Sequence, residues 1–259
     1  MTRLPPALRS VGIYLRTMLV FALIWHAVSG VVGNRVLLPE PLVVAEAFWR
    51  LALAGELAEH AVISVARMLL AVTLATLVAL PLGLAMGLNR RIEDLVDPVV
   101  ELLRPISGIA WIPLALFLFG IGHALPVYIM FYAALFPILL GTIAGVRGVE
   151  RRLIDASRTM GVPMDRIVRH VVLPAATPSI LVALRLGVAS AWTSVIAAEL
   201  VGAPSGLGYS IQWYRDMLVT PRMMAFIAMV GVCGFICDAA LRWLHHRLTP
   251  WAPAAAVLA

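Results

Sequence analysis

The chain has 259 residues, of which 62% are hydrophobic and only 13% are charged. Soluble domains carry about half apolar and about a quarter charged residues, so this composition excludes a soluble globular domain and indicates a chain solvated largely by lipid. The net charge is +6 and all twenty basic residues are arginine. Without lysine the chain cannot form a Walker-type phosphate loop or a Schiff base, which excludes an ATPase site of the usual kind.

Apolar runs in chain order predict six membrane-spanning helices, because a helical crossing needs about 20 apolar residues. The long run Pro105–Val146 is predicted to be two spans, since a single helix of that length would overshoot a bilayer. The other predicted spans are Thr17–Val32, a helix from near Ala61 that includes Met68–Leu88, Val171–Ala198 and Met223–Leu244. We expect residues 1–16 to be a cytoplasmic N-terminus, 17–246 a transmembrane domain and 247–259 a cytoplasmic tail.

Arginine placement predicts the orientation of these spans. With a cytoplasmic N-terminus, fourteen arginines fall in cytoplasmic segments and four in outer segments, which fits the positive-inside rule with both termini in the cytoplasm. The same distribution explains the basic charge without nucleic acid, since no aromatic platform for bases accompanies the arginines.

Two segments on the outer side have a pattern of their own. Leu38–Glu59 predicts an amphipathic helix lying at the membrane surface, and the glycines of Gly202–Pro221 favour a loop with interfacial aromatic residues. Within the spans, Gly83 and Gly87, like Gly141 and Gly145, recur at the spacing of close helix contacts. That spacing predicts a packed bundle but leaves open whether the contacts lie within or between subunits.

Ionisable side chains inside the spans have a functional and a structural interpretation. Arg67 and Arg185 can line the path of an anionic substrate, or can snorkel to the interface or pair with a carboxylate. Glu199 is either a gating group or a cap for the loop that follows it. His26 and His123 are interpreted as packing or interface residues, and the i, i+4 cysteines of the last span as packing residues and not a metal or redox pair.

The stretch Arg147–Pro174 differs from the rest of the chain. Leu153, Ala156 and Met160 stand at helical spacing and predict a short helix with one apolar side. Gly161 stands where a C′ glycine ends a helix, and Pro163 can open the next one. The stretch is either a protrusion that inserts into a groove of a cytoplasmic partner or an ordinary basic loop of the cytoplasmic side.

This loop resembles the EAA loop of ABC importer permeases. Asp155-Ala156-Ser157, then Gly161 and Val171-x-Leu173-Pro174, keep the family spacing with three mild substitutions. Further stretches are similar to the nitrate, sulfonate and taurine branch, including Leu38-Pro39-x-Pro41, Pro81–Leu88, Leu103–Pro105, Ala110–Leu114, Phe119–Gly122, Ala198–Leu200, Ser205–Tyr209 and Arg247–Trp251.

The resemblance implies an all-α membrane protein with the six-helix type I (MetI-like) permease fold, located in a bacterial inner membrane. It implies a homodimer that passes a small anionic solute, such as taurine, another sulfonate or nitrate, from a periplasmic binding protein to the cytoplasm by alternating access. Two cytoplasmic ABC ATPase subunits would hold ATP and Mg, and this chain no cofactor, metal or catalytic residue. The implied ATPase-coupling residues are Leu153, Asp155, Ala156, Ser157, Arg158, Met160, Gly161, Leu173 and Pro174.

The resemblance also implies that spans three and five line the translocation path. The candidate path residues are then Trp111, Arg185, Trp192, Thr193, Ser194 and Glu199. Two other functions compete with an importer subunit. A stand-alone ion-coupled transporter would need protonatable groups at mid-membrane, but those in this chain lie toward span ends. A membrane enzyme would need a convergent acid–base or metal set, and the sequence shows none at usable spacing.

Overall fold

The structure, a computed structural model, describes residues 6–34 and 36–250, with the backbone alone at residues 6–15 and 246. The described part of the chain is helical throughout and contains no strand. A 3-10 turn covers Gly108–Trp111 and a π-helical turn covers Val168–Val172. The helices are α1 Pro6–Val32, α2 Pro41–Leu53, α3 Glu56–Leu88, α4 Arg90–Leu103, α5 Ile112–Phe119, α6 Ala124–Arg147, α7 Arg151–Thr159, α8 Met164–Ile167, α9 Leu173–Gly202, α10 Leu207–Asp216 and α11 Thr220–Leu248.

Four helical segments in the described residues are long and apolar enough to cross a membrane. They are α3, α6, the continuous run of α8, the π-helical turn and α9 over Met164–Gly202, and the first 26 residues of α11. These segments confirm the predicted second, fourth, fifth and sixth spans and the all-α membrane class.

The predicted third span is shorter than the sequence suggested and follows a sharp bend in the chain. The 3-10 turn and α5 together cover only Gly108–Phe119, and they meet α4 at an angle of 82°. Pro105 and Gly108 break the helix between them, because proline disfavours helical geometry in the residue before it and glycine weakens a helix interior. The bent pair counts as a fifth span only if both parts together cross the membrane.

The first predicted span lies on α1, whose described apolar part, Arg16–Val32, is shorter than a full crossing. The count of six spans therefore stays a prediction. Because α1 begins at Pro6, part of the expected N-terminal segment 1–16 is helical. Residues 1–5 and 251–259 of the two expected terminal segments lie outside the described residues.

Helix α6 packs between α3 and α9 and forms the centre of the bundle. A Cβ added at Gly83 or Gly87 of α3 would stand 2.8 Å from Thr142 or Val146 of α6, so these glycines allow the two helices their close approach. On its other side, Gly141 and Gly145 of α6 lie against Ala183 and Ser179 of α9. The glycine pairs therefore serve contacts within the subunit, which the sequence had left open.

Two connecting segments lie on the side of the bundle away from α7, and the prediction was right for one and partly wrong for the other. The amphipathic helix predicted within Leu38–Glu59 is confirmed as α2, which buries Val44 and Leu51 and ends before Gly55. The predicted loop Gly202–Pro221 was wrong in its centre, where the structure has α10. The first N–H groups of this helix region bond to side chains outside it, and two of the acceptors, His60 and Ser64, are distant in sequence. A local pattern cannot reveal such partners.

Candidate functional sites

The stretch Arg147–Pro174, which we call the α7 loop, has the helix–turn–helix form that the sequence predicted. Helix α7 ends at Thr159, and Gly161 adopts a left-handed φ of +75°. The N–H of Val162 donates to the carbonyl of Ser157 at 3.1 Å, and the N–H of Gly161 donates to that of Arg158 at 2.9 Å. These two bonds define a Schellman motif, so the predicted C′ role of Gly161 is confirmed.

The apolar side of α7 is not covered by the rest of the chain. No residue of this helix is buried, Leu153 is 48% exposed and Met160 is 81% exposed. Ala156, Asp155 and Arg158 are exposed as well, while Ser157 is half-buried. Amphipathic helices normally bury their apolar side, so α7 presents an apolar surface with a mixed charged border.

The segments that connect α7 with α6 and α9 are well packed. Ile167 and Val172 are buried against Val146 and Ala176 in one hydrophobic cluster, which fixes the return of the chain into α9. Pro163 precedes α8 in extended conformation, as predicted for a helix opener. Leu173 is half-buried and Pro174 is exposed at the start of α9. The exposed helix is therefore attached firmly to the ends of α6 and α9.

A buried polar cluster lies at the opposite end of α6; we call it the Arg67–Glu199 cluster. Arg67 Nη1 donates to Glu199 Oε1 at 2.7 Å, and the two side chains are 5% and 0% exposed. Arg67 also donates to the Ser205 carbonyl and hydroxyl oxygens and to His123 Nδ1. Ser64 donates to both carboxylate oxygens of Glu199. The carboxylate partner that the sequence suggested for Arg67 is therefore Glu199.

The same cluster holds the N-terminus of α10. The N–H groups of Gly206, Leu207 and Gly208 donate to His60 Nδ1, Ser64 Oγ and Glu199 Oε2 at 3.1, 2.8 and 2.9 Å. Gly206 has a φ of +113°, and a Cβ there would lie against the Glu199 carboxylate. Glu199 is thus confirmed as a cap for the segment that follows it, and the segment needs glycine because its backbone touches the carboxylate.

The structure distributes the candidate path residues over different surroundings. Glu199 is 1% exposed inside the cluster, and Trp192 donates its Nε1–H to the Val230 carbonyl of α11 at 3.2 Å. Thr193 is exposed and Ser194 half-buried, and both donate to the Ser190 carbonyl. Trp111 contacts Tyr132 with ring centroids 5.8 Å apart, and its Nε1–H has no partner among the described residues. Their role in a path stays a prediction.

Arg185, the remaining candidate, pairs with a carboxylate of α11. Its Nε donates to Asp238 Oδ1 at 2.7 Å, and the side chains are 30% and 39% exposed. Asp238 also accepts a hydrogen bond from Arg242 one turn further along α11. The structure thus joins three charged groups of α9 and α11.

Among the described residues, no group of three or more His, Cys, Asp or Glu side chains is placed to hold a metal ion. Cys233 and Cys237 are free thiols, the first buried and the second half-buried, and Cys237 packs against the central hydrophobic cluster.

Comparison with known proteins identifies the family. Residues 78–250 match the family described as binding-protein-dependent transport system inner membrane component. The chain belongs to this family. The permease is 37% identical over 233 residues to a putative ABC transporter permease of Methanocaldococcus jannaschii, covering 88% of this chain and 87% of the relative. It is 33% identical over 252 residues to the taurine transport system permease protein TauC of Escherichia coli, covering 95% and 92%.

A third relative is the bicarbonate transport system permease protein CmpB of Synechococcus elongatus, which is 32% identical over 177 residues and covers 67% of this chain and 63% of its own. Among solved structures, a chain of the inward-facing MetNI methionine ABC transporter has a TM-score of 0.65 at 21% identity, covering 74% of the permease and 96% of that chain. That likeness confirms the MetI-like fold.

Family membership settles what kind of protein this is. The permease is a non-enzymatic membrane subunit of an ABC transporter, with ATP hydrolysis in a separate protein. It works with an ATPase and a binding protein, as members of a binding-protein-dependent system do. Sequence reasoning recognised this family from the α7 loop, but it missed the partners His60, Ser64 and Arg242. The only signal for them was the cost of a charge inside a span, which demands a partner without naming it.

Proposed function

We propose that the permease imports a small solute that carries an oxyanion group, with taurine as the first candidate and other sulfonates, nitrate or bicarbonate behind it. The support is the set of relatives, which are named for taurine, aliphatic sulfonates and bicarbonate. Each of these solutes presents a sulfonate or carbonate oxyanion, and a shared transport path suits a shared chemical group.

The proposed assembly is a homodimer of this chain with two cytoplasmic ABC ATPase subunits and a periplasmic binding protein. The ATPases hold ATP and Mg, and this chain holds no cofactor. It lies in a bacterial inner membrane with both termini in the cytoplasm. The arginine bias supports this orientation, since it puts the α7 loop, with its six arginines, on the cytoplasmic side.

The α7 helix is the proposed contact with the ATPase, and its exposure is the observation that carries the proposal. Leu153, Ala156 and Met160 form an uncovered apolar side, and a groove on a partner would bury it. The residues that border or shape that side are Asp155, Ser157, Arg158 and Gly161. The helix that transmits movement of α7 into the membrane begins with Leu173 and Pro174. Closure of the ATPases would then move the bundle between its two access states.

The exposed side of α9 is the proposed wall of the path. Ala189 and Thr193 are exposed there and Ser190 is half-buried, next to the exposed Leu186. The exposed sides of α3 and α11 instead carry large apolar residues, such as Leu77 and Phe235. Small and polar residues suit water or a second subunit better than lipid chains, which separates this side of α9 from lipid-facing surfaces.

The test replaces Ala156 by Arg in the permease expressed with its ATPase and binding protein. A long charged side chain on the apolar side of α7 blocks its insertion, so we expect loss of co-purification with the ATPase and at least a roughly tenfold fall in ATP-driven uptake of labelled taurine or bicarbonate. Amounts of permease in the membrane fraction should stay unchanged. Ala58→Arg is the matched control, because Ala58 is an exposed alanine at the other end of the bundle.

Normal co-purification and uptake by Ala156→Arg would contradict the role of α7. Uptake by the permease alone in liposomes, driven by a proton gradient without an ATPase, would favour an ion-coupled transporter instead. Uptake of neither labelled solute by the wild-type complex would contradict the substrate class while leaving the ATPase contact to be judged by co-purification.

A further inference from the structure

We propose that Arg185, Asp238 and Arg242, which we call the triad, form an intramembrane oxyanion subsite near the α7 end of the bundle. The inference rests on the proposed import of an oxyanion solute and deepens it, because it names the groups that bind the solute late in its passage.

The position of the triad places it inside the membrane. Arg185 lies about 18 Å along α9 from Leu173, and Asp238 about 15 Å along α11 from Leu248, at 1.5 Å per residue. The hydrocarbon core is about 30 Å thick. Both helices begin or end at the same side of the bundle as α7, so Arg185 and Asp238 meet at a similar depth inside the membrane, and Arg242 lies about one turn closer to the α7 side.

The charges of the triad do not cancel. One carboxylate, that of Asp238, accepts hydrogen bonds from both guanidinium groups, which leaves one positive charge in excess. An uncompensated charge at membrane depth is costly, and such groups normally mark the pathway of a substrate or ion. A sulfonate or carbonate group of a bound solute would lie against this excess positive charge, so the electrostatics of the triad favour a ligand with an oxyanion group.

The unused donors of the triad fit the same ligand. Within the described residues, Nη1 of Arg185 and both Nε and Nη2 of Arg242 have no hydrogen-bond partner. The two arginine side chains are 30% and 42% exposed in the single chain, so these donors are accessible. Planar guanidinium groups bind sulfonate-like and carboxylate-like oxyanions with paired hydrogen bonds.

The surroundings connect the triad with the proposed path. Arg185 borders the exposed side of α9, one and two turns before Ala189 and Thr193. The Arg67–Glu199 pair differs from the triad in burial, hydrogen bonding and charge, since it is buried, its donors are bonded and its two charges cancel. Asp238 lets the triad bind weakly, because it neutralises one of the two arginines and so allows a solute to leave toward the cytoplasm.

The experiment uses proteoliposomes of the complete complex with ATP in the lumen, which corresponds to the cytoplasmic side, and binding protein with labelled taurine outside. Unlabelled taurine in the lumen should occupy the triad and slow uptake. For Arg242→Gln, which keeps the Arg185–Asp238 pair, we expect the half-inhibitory lumenal concentration to rise roughly tenfold. For Asp238→Asn, which adds positive charge, it should fall by a similar factor.

Arg247→Gln is the matched control. Arg247 lies on the same helix beyond the triad, with its guanidinium 5.2 Å from the Trp243 ring, and its removal should leave both uptake and half-inhibitory concentration unchanged. If the triad were purely structural, the half-inhibitory concentration would change in the same direction in Arg242→Gln and Asp238→Asn, or would not change in either. That result overturns the subsite. Absence of lumenal inhibition in an actively importing wild-type complex overturns it too. Absence of ATP-dependent import in the wild type instead defeats the proposed function, and the subsite with it.

Discussion

The two ends of helix α6 carry polar groups in opposite ways. At one end, α7 holds its charged and apolar side chains in the open, and none of its residues is buried. At the other end, Arg67 and Glu199 are almost fully buried and bonded to each other, to Ser64, to Ser205 and to the start of α10. The first region is built to be completed by another protein, while the second is complete within the chain.

This difference separates two kinds of constraint on the sequence. The exposed region is constrained by a local pattern, since a helix, its C′ glycine and a proline must follow one another at fixed spacing. The buried region is constrained by residues more than a hundred positions apart, because an ion pair out of water is tolerable only when the remaining donors and acceptors are satisfied. Changes in the two regions should accordingly affect different measurable quantities.

The largest expected effect is that of Glu199→Ala. It leaves Arg67 buried without its carboxylate, and breaking a buried pair in this way costs about 3–5 kcal/mol. We expect a large fall in the unfolding midpoint of the detergent-solubilised permease, followed by fluorescence-detected size exclusion on heating. Glu46→Ala is the control, because Glu46 pairs with Arg50 on the surface, where the side chains are 60% and 77% exposed. There the cost should stay below about 1 kcal/mol, and equal midpoints for the two variants would contradict the comparison.

Local sequence patterns predicted the α7 region almost completely. The spacing of Leu153, Ala156 and Met160 and the positions of Gly161 and Pro163 gave the helix, its end and its successor, because every interaction involved lies within a few residues. The buried region was predicted only in part. A charge at Arg67 demanded a partner, but choosing Glu199 requires knowing that α3 and α9 meet, and α10 was misread as a loop because its caps come from elsewhere.

The third span, with the bend before it, shows the same limit. Its apolar run was long enough to cross the membrane, and the sequence indicated a span there. The angle of 82° between α4 and the following segment depends on how Ile92, Val96 and Val100 pack against the central cluster. Hydropathy reports how much apolar surface a segment has, whereas the direction of a helix is set by the neighbours it packs on.

A smaller effect is expected at the contact between α6 and α9, which lies between the two ends of α6. Gly141→Val would drive a side chain into Ala183 of α9, and overpacking of this kind costs about 1–3 kcal/mol. The unfolding midpoint should fall, by less than in Glu199→Ala. Gly231→Val is the control, because Gly231 is also within a membrane helix but has no atom within 4 Å of an added Cβ. Equal destabilisation of the two variants would mean that helix propensity, and not the α6–α9 contact, sets the cost.

The smallest effect on stability, and the sharpest test of the comparison, is expected at Gly161. Gly161→Ala forces a Cβ into left-handed geometry, at a cost of about 1 kcal/mol, and Gly55→Ala imposes the same strain at the start of α3, where φ is +79° against +75° at Gly161. Neither site has an atom within 4 Å of the added Cβ, so both variants should unfold at nearly the same temperature. Because only Gly161 ends the helix proposed to contact the ATPase, uptake of taurine per ATP hydrolysed should fall severalfold in Gly161→Ala and stay unchanged in Gly55→Ala. Equal uptake by the two variants would show that the turn after α7 has no special part in coupling, and that its exposed apolar side serves some other contact.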